Sequence, residues 1–343
     1  MTRFLFFFLI STSLFAQPKK RYQQYEVAGL KVDVYLPSNY SEKKEYPVVY
    51  ANDGEWLFGD HSWKLDYILE EWTNLNKIEP LILVAIHNQG ERESKFLPYQ
   101  DPYIGKYEAN AEKYTRKIVK ELVPFIDKKF STSDQRALMG ASFGGLHSVW
   151  AGLKCPDVFQ FIIAQSPSFW VNNFSIHEEA KFNKGQKIWI DIGTNDWDDV
   201  LTMYYSLSQK GYTPGSDLFY YEHFNGSHNG DSWSERLLYP LILFSKGMDN
   251  RVMNFQLQAE YIPSMQRKDL FYFSRVNPVV TMKNGVKFTP FPYVEFKSNE
   301  GFIKVSPYGK LEIEPGKTDK LIASYGKKES SVKIKWKDNP MNK

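Results

Sequence analysis

Cysteine is almost missing from this chain: Cys155 stands alone among 343 residues. A single thiol cannot form a disulfide within the chain, so the fold must stand on its core. Cys155 precedes Pro156 in a loop-like context and reads as structural. The cysteine and histidines show no zinc-type spacing, so neither a metal nor a cofactor is expected. Charge of one sign is also scarce. Forty-three basic side chains against 40 acidic ones leave a net +3, which gives no case for nucleic acid or an anionic membrane as partner. Long apolar runs are absent beyond the first residues, so no later segment can span a bilayer. The early run from Phe4 to Ile10 is too short to span one. With Arg3 before it and Ala16 after it, residues 1–16 have the form of a secretory signal peptide cleaved near Ala16. No cysteine near that point offers a lipid anchor. The expected location is secreted or periplasmic.

Apolar and aromatic residues, by contrast, are plentiful. A 42% hydrophobic share supplies a sizeable core, and the length suits one large domain plus a small one. Aromatics make up 16%, which fits either a large aromatic core or a surface for sugars or aryl groups.

Over residues 17–248 short apolar runs alternate with helical stretches. Pro47-Val48-Val49-Tyr50-Ala51, Leu81 to Ile86, Ala137-Leu138-Met139, Phe161 to Ala164 and Ile188 to Ile192 read as buried strands. Continuous apolar strands belong in parallel sheets covered on both faces. Tyr114 to Phe130 has helical spacing, with Pro124 expected to kink or interrupt it. Leu237 to Phe244 also reads as helical. Tyr22 to Val27 and Lys31 to Leu36 flank Ala28-Gly29 as an antiparallel hairpin. Together these predict an α/β fold with right-handed crossovers. Residues 249–343 change character. Short alternating runs separated by turn residues predict a small β-sandwich-like domain with an Ig-like rhythm.

Residues 138 to 146 contain Gly140-Ala141-Ser142-Phe143-Gly144, a G-x-S-x-G pattern between an apolar strand and a helix. In such an elbow a serine sits on a strained turn that lifts its oxygen clear of the sheet, and the small flanking residues keep space open. The Phe143 N–H can donate to a developing oxyanion. A serine hydroxyl needs a base. His228 lies in the glycine-flanked segment Asn225-Gly226-Ser227-His228-Asn229-Gly230 after a strand-like run, and His223 within that run is the alternative. His147, in the helix after the elbow, is expected to pack or to face solvent. For the acid, Asp196 is the first carboxylate after Ile188 to Ile192. Asp198 and Asp199 remain rivals, one of them as a helix cap. The second oxyanion donor is expected from Asn52-Asp53-Gly54-Glu55-Trp56, at the backbone of Glu55 or Trp56. Trp56, Trp170 and Trp197 lie near these loops and can wall a substrate pocket or join the core.

With these residues the chain resembles the putative esterase family, which holds esterase D, enterochelin esterase-like proteins, and feruloyl and acetyl-xylan esterases. The likeness covers roughly residues 24 to 246. It rests on Tyr46 to Tyr50 leading into Asp53-Gly54, on Gly140 to Gly145, on Ser166-Pro167-Ser168-Phe169-Trp170, on Gly193 to Asp196 and on Gly226-Ser227-His228. It implies an α/β-hydrolase fold, a triad of Ser142, His228 and Asp196, and oxyanion donors at Phe143 and Glu55. His87 to Arg92 resembles a loop lining the family's site, which makes Arg92 a substrate-binding candidate or a surface ion pair. Phe143 departs from the methionine often found there, tolerably, because the donor is backbone. The implied activity is carboxylester hydrolysis through an acyl-enzyme, on small-molecule or polysaccharide esters of acetyl or feruloyl type. Acyl transfer on the same scaffold and a non-catalytic glycan-binding role stay open. A siderophore ester is a further option, though it would want clustered cations.

Overall fold

The computed structural model describes residues 22–60, 63–196, 199–260 and 275–337; the leader reading of residues 1–16 lies outside them. Eight strands form the central sheet: β1 Tyr22–Val27, β2 Leu30–Tyr35, β3 Tyr46–Ala51, β4 Ile82–Ile86, β5 Thr132–Ala141, β6 Phe161–Gln165, β7 Lys187–Gly193 and β8 Leu218–His223. Their order is β1-β2-β4-β3-β5-β6-β7-β8. The expected hairpin opens it. Ala28 and Gly29 both take positive φ, 52° and 75°, as a two-residue turn between right-twisted strands requires. The β2 strand meets β4 antiparallel, and from β4 onward all pairs are parallel.

The apolar strands are buried on both faces, as their composition predicts. Successive residues point to opposite sides. Val48, Tyr50 and Leu138 join one core with Ile82, Val84 and Ile162. Val49, Ala51 and Met139 join the other with Leu83, Ala85 and Ile163. The covering helices are α1 Leu65–Asn74, α2 Arg92–Phe96, α3 Ala111–Lys117, α4 Val123–Lys129, α5 Phe143–Lys154, α6 Val171–Phe174, α7 Leu201–Gln209, α8 Gly230–Arg236 and α9 Leu238–Lys246. Between α3 and α4 the backbone widens into a π-turn over Ile118–Leu122. Pro124 follows at once, in the first turn of α4. Proline has no N–H to give the preceding turn and crowds its carbonyl, so the ladder yields there. Among the described residues no helix is long and apolar enough to cross a membrane.

Beyond α9 the chain forms strands β9 Val252–Glu260, β10 Arg275–Met282, β11 Lys287–Phe288, β12 Glu295–Ser298, β13 Ile303–Val305, β14 Leu311–Ile313, β15 Thr318–Tyr325 and β16 Lys328–Lys335. They build antiparallel sheets ordered β11-β10-β9, β12-β15-β16 and β13-β14. The alternating runs read from sequence correspond to β12 to β16. The strands β9 to β11 carry weaker alternation and were not legible.

These strands lie along β8, the last strand of the central sheet. The Thr289 N–H donates to Tyr220 O at 2.7 Å. The Glu222 N–H donates to Thr289 Oγ1 at 3.2 Å, and Asn277 Nδ2 donates to Glu222 O at 2.7 Å. Phe288 meets Phe219 edge to face, and Val276, Val280 and Phe288 belong to the same apolar cluster as Phe219 and Trp189. An uncovered edge strand presents unpaired backbone groups to any other chain, and here Thr289 and Asn277 satisfy those of Tyr220 and Glu222. A chain ending at Met248 is therefore expected to expose both that edge and the Phe219 face, and to aggregate. A soluble monomer that melts as the full chain does, by size exclusion and circular dichroism, would contradict this account.

Candidate active site

The carboxyl ends of β3, β5, β6, β7 and β8 carry the loops that hold the predicted residues. At the end of β5, Ser142 adopts φ 56° and ψ −122°, a conformation a side chain rarely takes. Its neighbours hold it there. The Ser142 N–H donates to Gln165 O at 2.9 Å, and Ser142 O accepts from Ser168 N at 3.1 Å and Leu146 N at 3.0 Å. A Cβ at Gly140 would lie 2.3 Å from Gly144 O, so only glycine lets the strand and helix close on each other. Phe143 opens α5, where the first N–H groups lack partners within the helix. The Ser142 hydroxyl faces the Ser168 hydroxyl at 3.2 Å.

The loops after β7 and β8 interlock. Thr194 N donates to His223 O, Asn195 N to Gly226 O, and Asn225 N to Thr194 Oγ1. Any Cβ on Gly193 would meet Gly226 O at 2.2 Å. This contact brings Asp196 to His228, with Nδ1 at 3.0 and 3.1 Å from the two carboxylate oxygens. The Asp196 side chain is fully buried and that of His228 is 23% exposed. A carboxylate on Nδ1 fixes the proton there and leaves Nε2 as the basic nitrogen. Asp199 accepts from Thr202 N at 3.4 Å, near the first turn of α7, as a cap would. Asp198 and Trp197 lie outside the described residues. His223 ends β8 with its ring stacked on Tyr221, and burial pushes its pKa down.

The turn after β3 supplies the other side. Gly54 lies against β4, where a Cβ would fall 2.5 Å from Ala85 C. The Trp56 N–H is spent on Asp53 O at 3.0 Å, so Glu55 is the better donor of the two. The Glu55 carboxylate accepts from Asn88 N at 3.1 Å. Arg92 grips Asp53 with two 2.9 Å bonds and reaches Ala141 O at 3.3 Å. Burial pushes the Asp53 carboxyl up, and the guanidinium pulls against it. The Arg92 guanidinium sits over the rings of Phe143, Trp56 and Phe96 at 5.2, 5.6 and 5.6 Å. Trp170 meets Phe143 at 6.1 Å. The structure thus gathers Trp56, Arg92, Phe143 and Trp170 beside the elbow. Among the described residues no group of three or more His, Cys, Asp or Glu is arranged to hold a metal.

Two buried polar networks were missed from the sequence. On one side Asn52 Nδ2 donates to Gly144 O at 3.1 Å and meets His147 Nδ1 at 3.1 Å. His147 Nε2 meets Thr115 Oγ1 at 2.9 Å, and Tyr114 donates to Asn52 Oδ1. On the other side Arg236 and Asp191, both fully buried, pair at 2.5 Å. Arg236 Nη2 and Trp233 Nε1 donate to Ser166 Oγ at 2.6 and 3.1 Å. The Trp233 ring packs edge-on to His228 at 5.0 Å. An i, i+3 pair such as Trp233 and Arg236 carries no local signal of this, because its partners lie far off in sequence.

The sequence profile of the family described as putative esterase matches residues 28–244. The chain is 30% identical over 185 residues to the uncharacterized protein YjcH of Bacillus subtilis, spanning 53% of this chain and 74% of that one. It is 31% identical over 141 residues to an endo-1,4-beta-xylanase/feruloyl esterase of Xylanibacter ruminicola, spanning 38% of this chain and 18% of that one. The solved siderophore hydrolase EstA of Aspergillus nidulans superposes with TM-score 0.55 at 18% identity, over 71% of this chain and all of that one. That last likeness is one of fold.

Removing one partner of a buried ion pair strands the other charge, so Arg236→Ala should cost about 3–5 kcal/mol in urea unfolding. A loss within error of zero would refute the role given to the pair. A second expectation concerns pH. Burial pushes the pKa of His147 from 6.5 down to about 3, so the folded state binds fewer protons than the unfolded one below pH 6.5. Stability from this group is full above that pH and is lost as pH falls toward 3, by up to about 1.4 kcal/mol per unit. His147→Gln should flatten this slope in urea melts between pH 6.5 and 4; parallel slopes would exclude the effect.

Proposed function

The chain belongs to the putative esterase family and is a carboxylic ester hydrolase, and on that premise we propose that Ser142, His228 and Asp196 form its catalytic triad. The observation that carries this reading is the His228–Asp196 contact of 3.0 Å at the sheet edge that also bears the strained Ser142.

The chemistry follows from the groups. Ser142 Oγ attacks the ester carbonyl while His228 Nε2 takes its proton. The imidazolium so formed is stabilised by Asp196, which keeps its charge. The carbonyl oxygen becomes an oxyanion and accepts from the Phe143 and Glu55 N–H groups. His228 then gives its proton to the departing alcohol. Water, deprotonated by the same nitrogen, releases the acid and restores Ser142. We assign the substrate to esters of carbohydrates or aryl acids, of acetyl or feruloyl type. Support comes from the aromatic wall of Trp56, Phe143 and Trp170, and from the relative named as a xylanase/feruloyl esterase. A ferric siderophore ester is less well served: Arg92, the cation beside the elbow, is already bound on two atoms by Asp53. Residues 1–16 would export the enzyme.

The test offers p-nitrophenyl acetate and methyl ferulate to wild type, Ser142→Ala and Asp196→Asn. Loss of the serine should lower turnover about a millionfold. Loss of the acid's charge should lower it about ten-thousandfold. Turnover that survives Ser142→Ala would end the triad reading. Ester consumption that climbs with an added alcohol acceptor would point to acyl transfer instead.

A further inference from the structure

Resting on the ester-hydrolase reading, we propose that a cleft between α7 and the β13–β14 turn is a subsite for a neutral glycosyl ring of the substrate. The cleft encloses about 420 Å³. Its near wall is Asp199, Leu201, Thr202 and Tyr205, which follow the loop of Asp196. Its far wall is Arg275, Tyr308 and Lys310, from the C-terminal strands and outside the family match at residues 28–244. The fold puts this cleft at the working edge of the sheet. Asp199 comes three residues after Asp196, and Arg275 opens β10, whose Asn277 donates to the carbonyl of Glu222, the next-to-last residue of β8. The loop of His228 leaves from that same end.

The walls select the ligand. Tyr205 and Tyr308 meet at 5.3 Å with their planes 82° apart, which makes a corner with one ring face and one ring edge. Such a corner accepts a flat apolar ring face. Tyr308 is held from behind by Phe291 at 6.3 Å. The lining is mostly apolar, yet Asp199, Thr202, Ser306 and Lys310 among its residues carry a carboxylate, two hydroxyls and an ammonium. A plain aryl ring offers these polar groups no hydrogen bond in exchange for the water it displaces. A sugar ring offers an apolar face to the tyrosines and hydroxyls at its edge to those groups. Charge points the same way. Lys310 faces Glu312 at 3.1 Å, Arg275 is balanced by Glu222, and Asp199 would repel an anion. The cleft therefore favours a ring without charge. Pockets between two packed units with a few convergent polar groups are common binding places.

Binding can be read apart from catalysis. Full-length Ser142→Ala protein is titrated by calorimetry with xylotetraose, cellotetraose and mannotetraose, which carry no ester. At least one should bind with Kd near or below about 1 mM. Tyr308→Ala and Tyr205→Ala, each made in the Ser142→Ala chain, should weaken that binding about tenfold or more. Tyr205 is 46% exposed, so its variant is expected to fold even where loss of Tyr308 disturbs packing. Thermal melts check both. No binding of any of the three sugars, or equal binding by a folded Tyr205→Ala protein, overturns the proposal. So does ferulate binding that needs Tyr308 where no sugar binds. Failure of wild type to turn over p-nitrophenyl acetate would instead strike the hydrolase reading, whatever the sugars do.

Discussion

A serine held at φ 56° and ψ −122° survives only where its surroundings allow no alternative. Such a conformation costs on the order of 1–3 kcal/mol. Gln165, Ser168 and Leu146 fix its backbone by hydrogen bonds, and Gly140 and Gly144 let strand and helix meet without a Cβ between them. Every other part of the site is placed with respect to this turn. The β3 loop comes within 3.2 Å of where a Cβ on Gly144 would be. Arg92 ties the same loop to Ala141, one residue before the serine.

Two polar networks flank the elbow, and both bury groups that water would otherwise hold. A buried charge or amide is tolerated when its hydrogen bonds are made. Asn52 and His147 clamp the β3 loop to the first turns of α5, which keeps the proposed Glu55 and Phe143 donors in register. Arg236, Asp191, Ser166 and Trp233 do the equivalent on the far side, where the Trp233 ring bears on His228. The loops proposed as catalytic are thus backed by buried, hydrogen-bonded networks on each side. Trp56, in the aromatic cluster beside the elbow, is 43% exposed.

Beyond the hydrolase sheet, the C-terminal strands serve packing and placement together. They and the adjoining Thr289 hydrogen-bond to Tyr220 and Glu222 of β8 and share one apolar cluster with that strand, so the region reads as a continuation of the core as much as an appendage. By covering the edge they also bring Tyr308 and Lys310 beside α7. A change in these strands would be felt in stability and at the cleft at once.

Read alone, the chain yields the parallel sheet, the opening hairpin and the serine elbow, and it favours Asp196 over Asp198 and Asp199 and His228 over His223. Each leaves a local trace: an unbroken apolar run, a turn dipeptide, a glycine-framed serine, or the first polar residue past a strand. It leaves Trp56 and Trp170 open between pocket wall and core, Arg92 between substrate binding and a surface ion pair, and His147 between packing and exposure, and it is silent on the partners of Asn52, Asp191 and Arg236. Tertiary packing buries His147 and Arg236 and ties Arg92 to Asp53. Asn52 meets His147 across 95 positions and Arg236 meets Ser166 across 70. The strength of such contacts comes from burial and exact partnering, which depend on how distant segments pack and leave no periodicity in the chain.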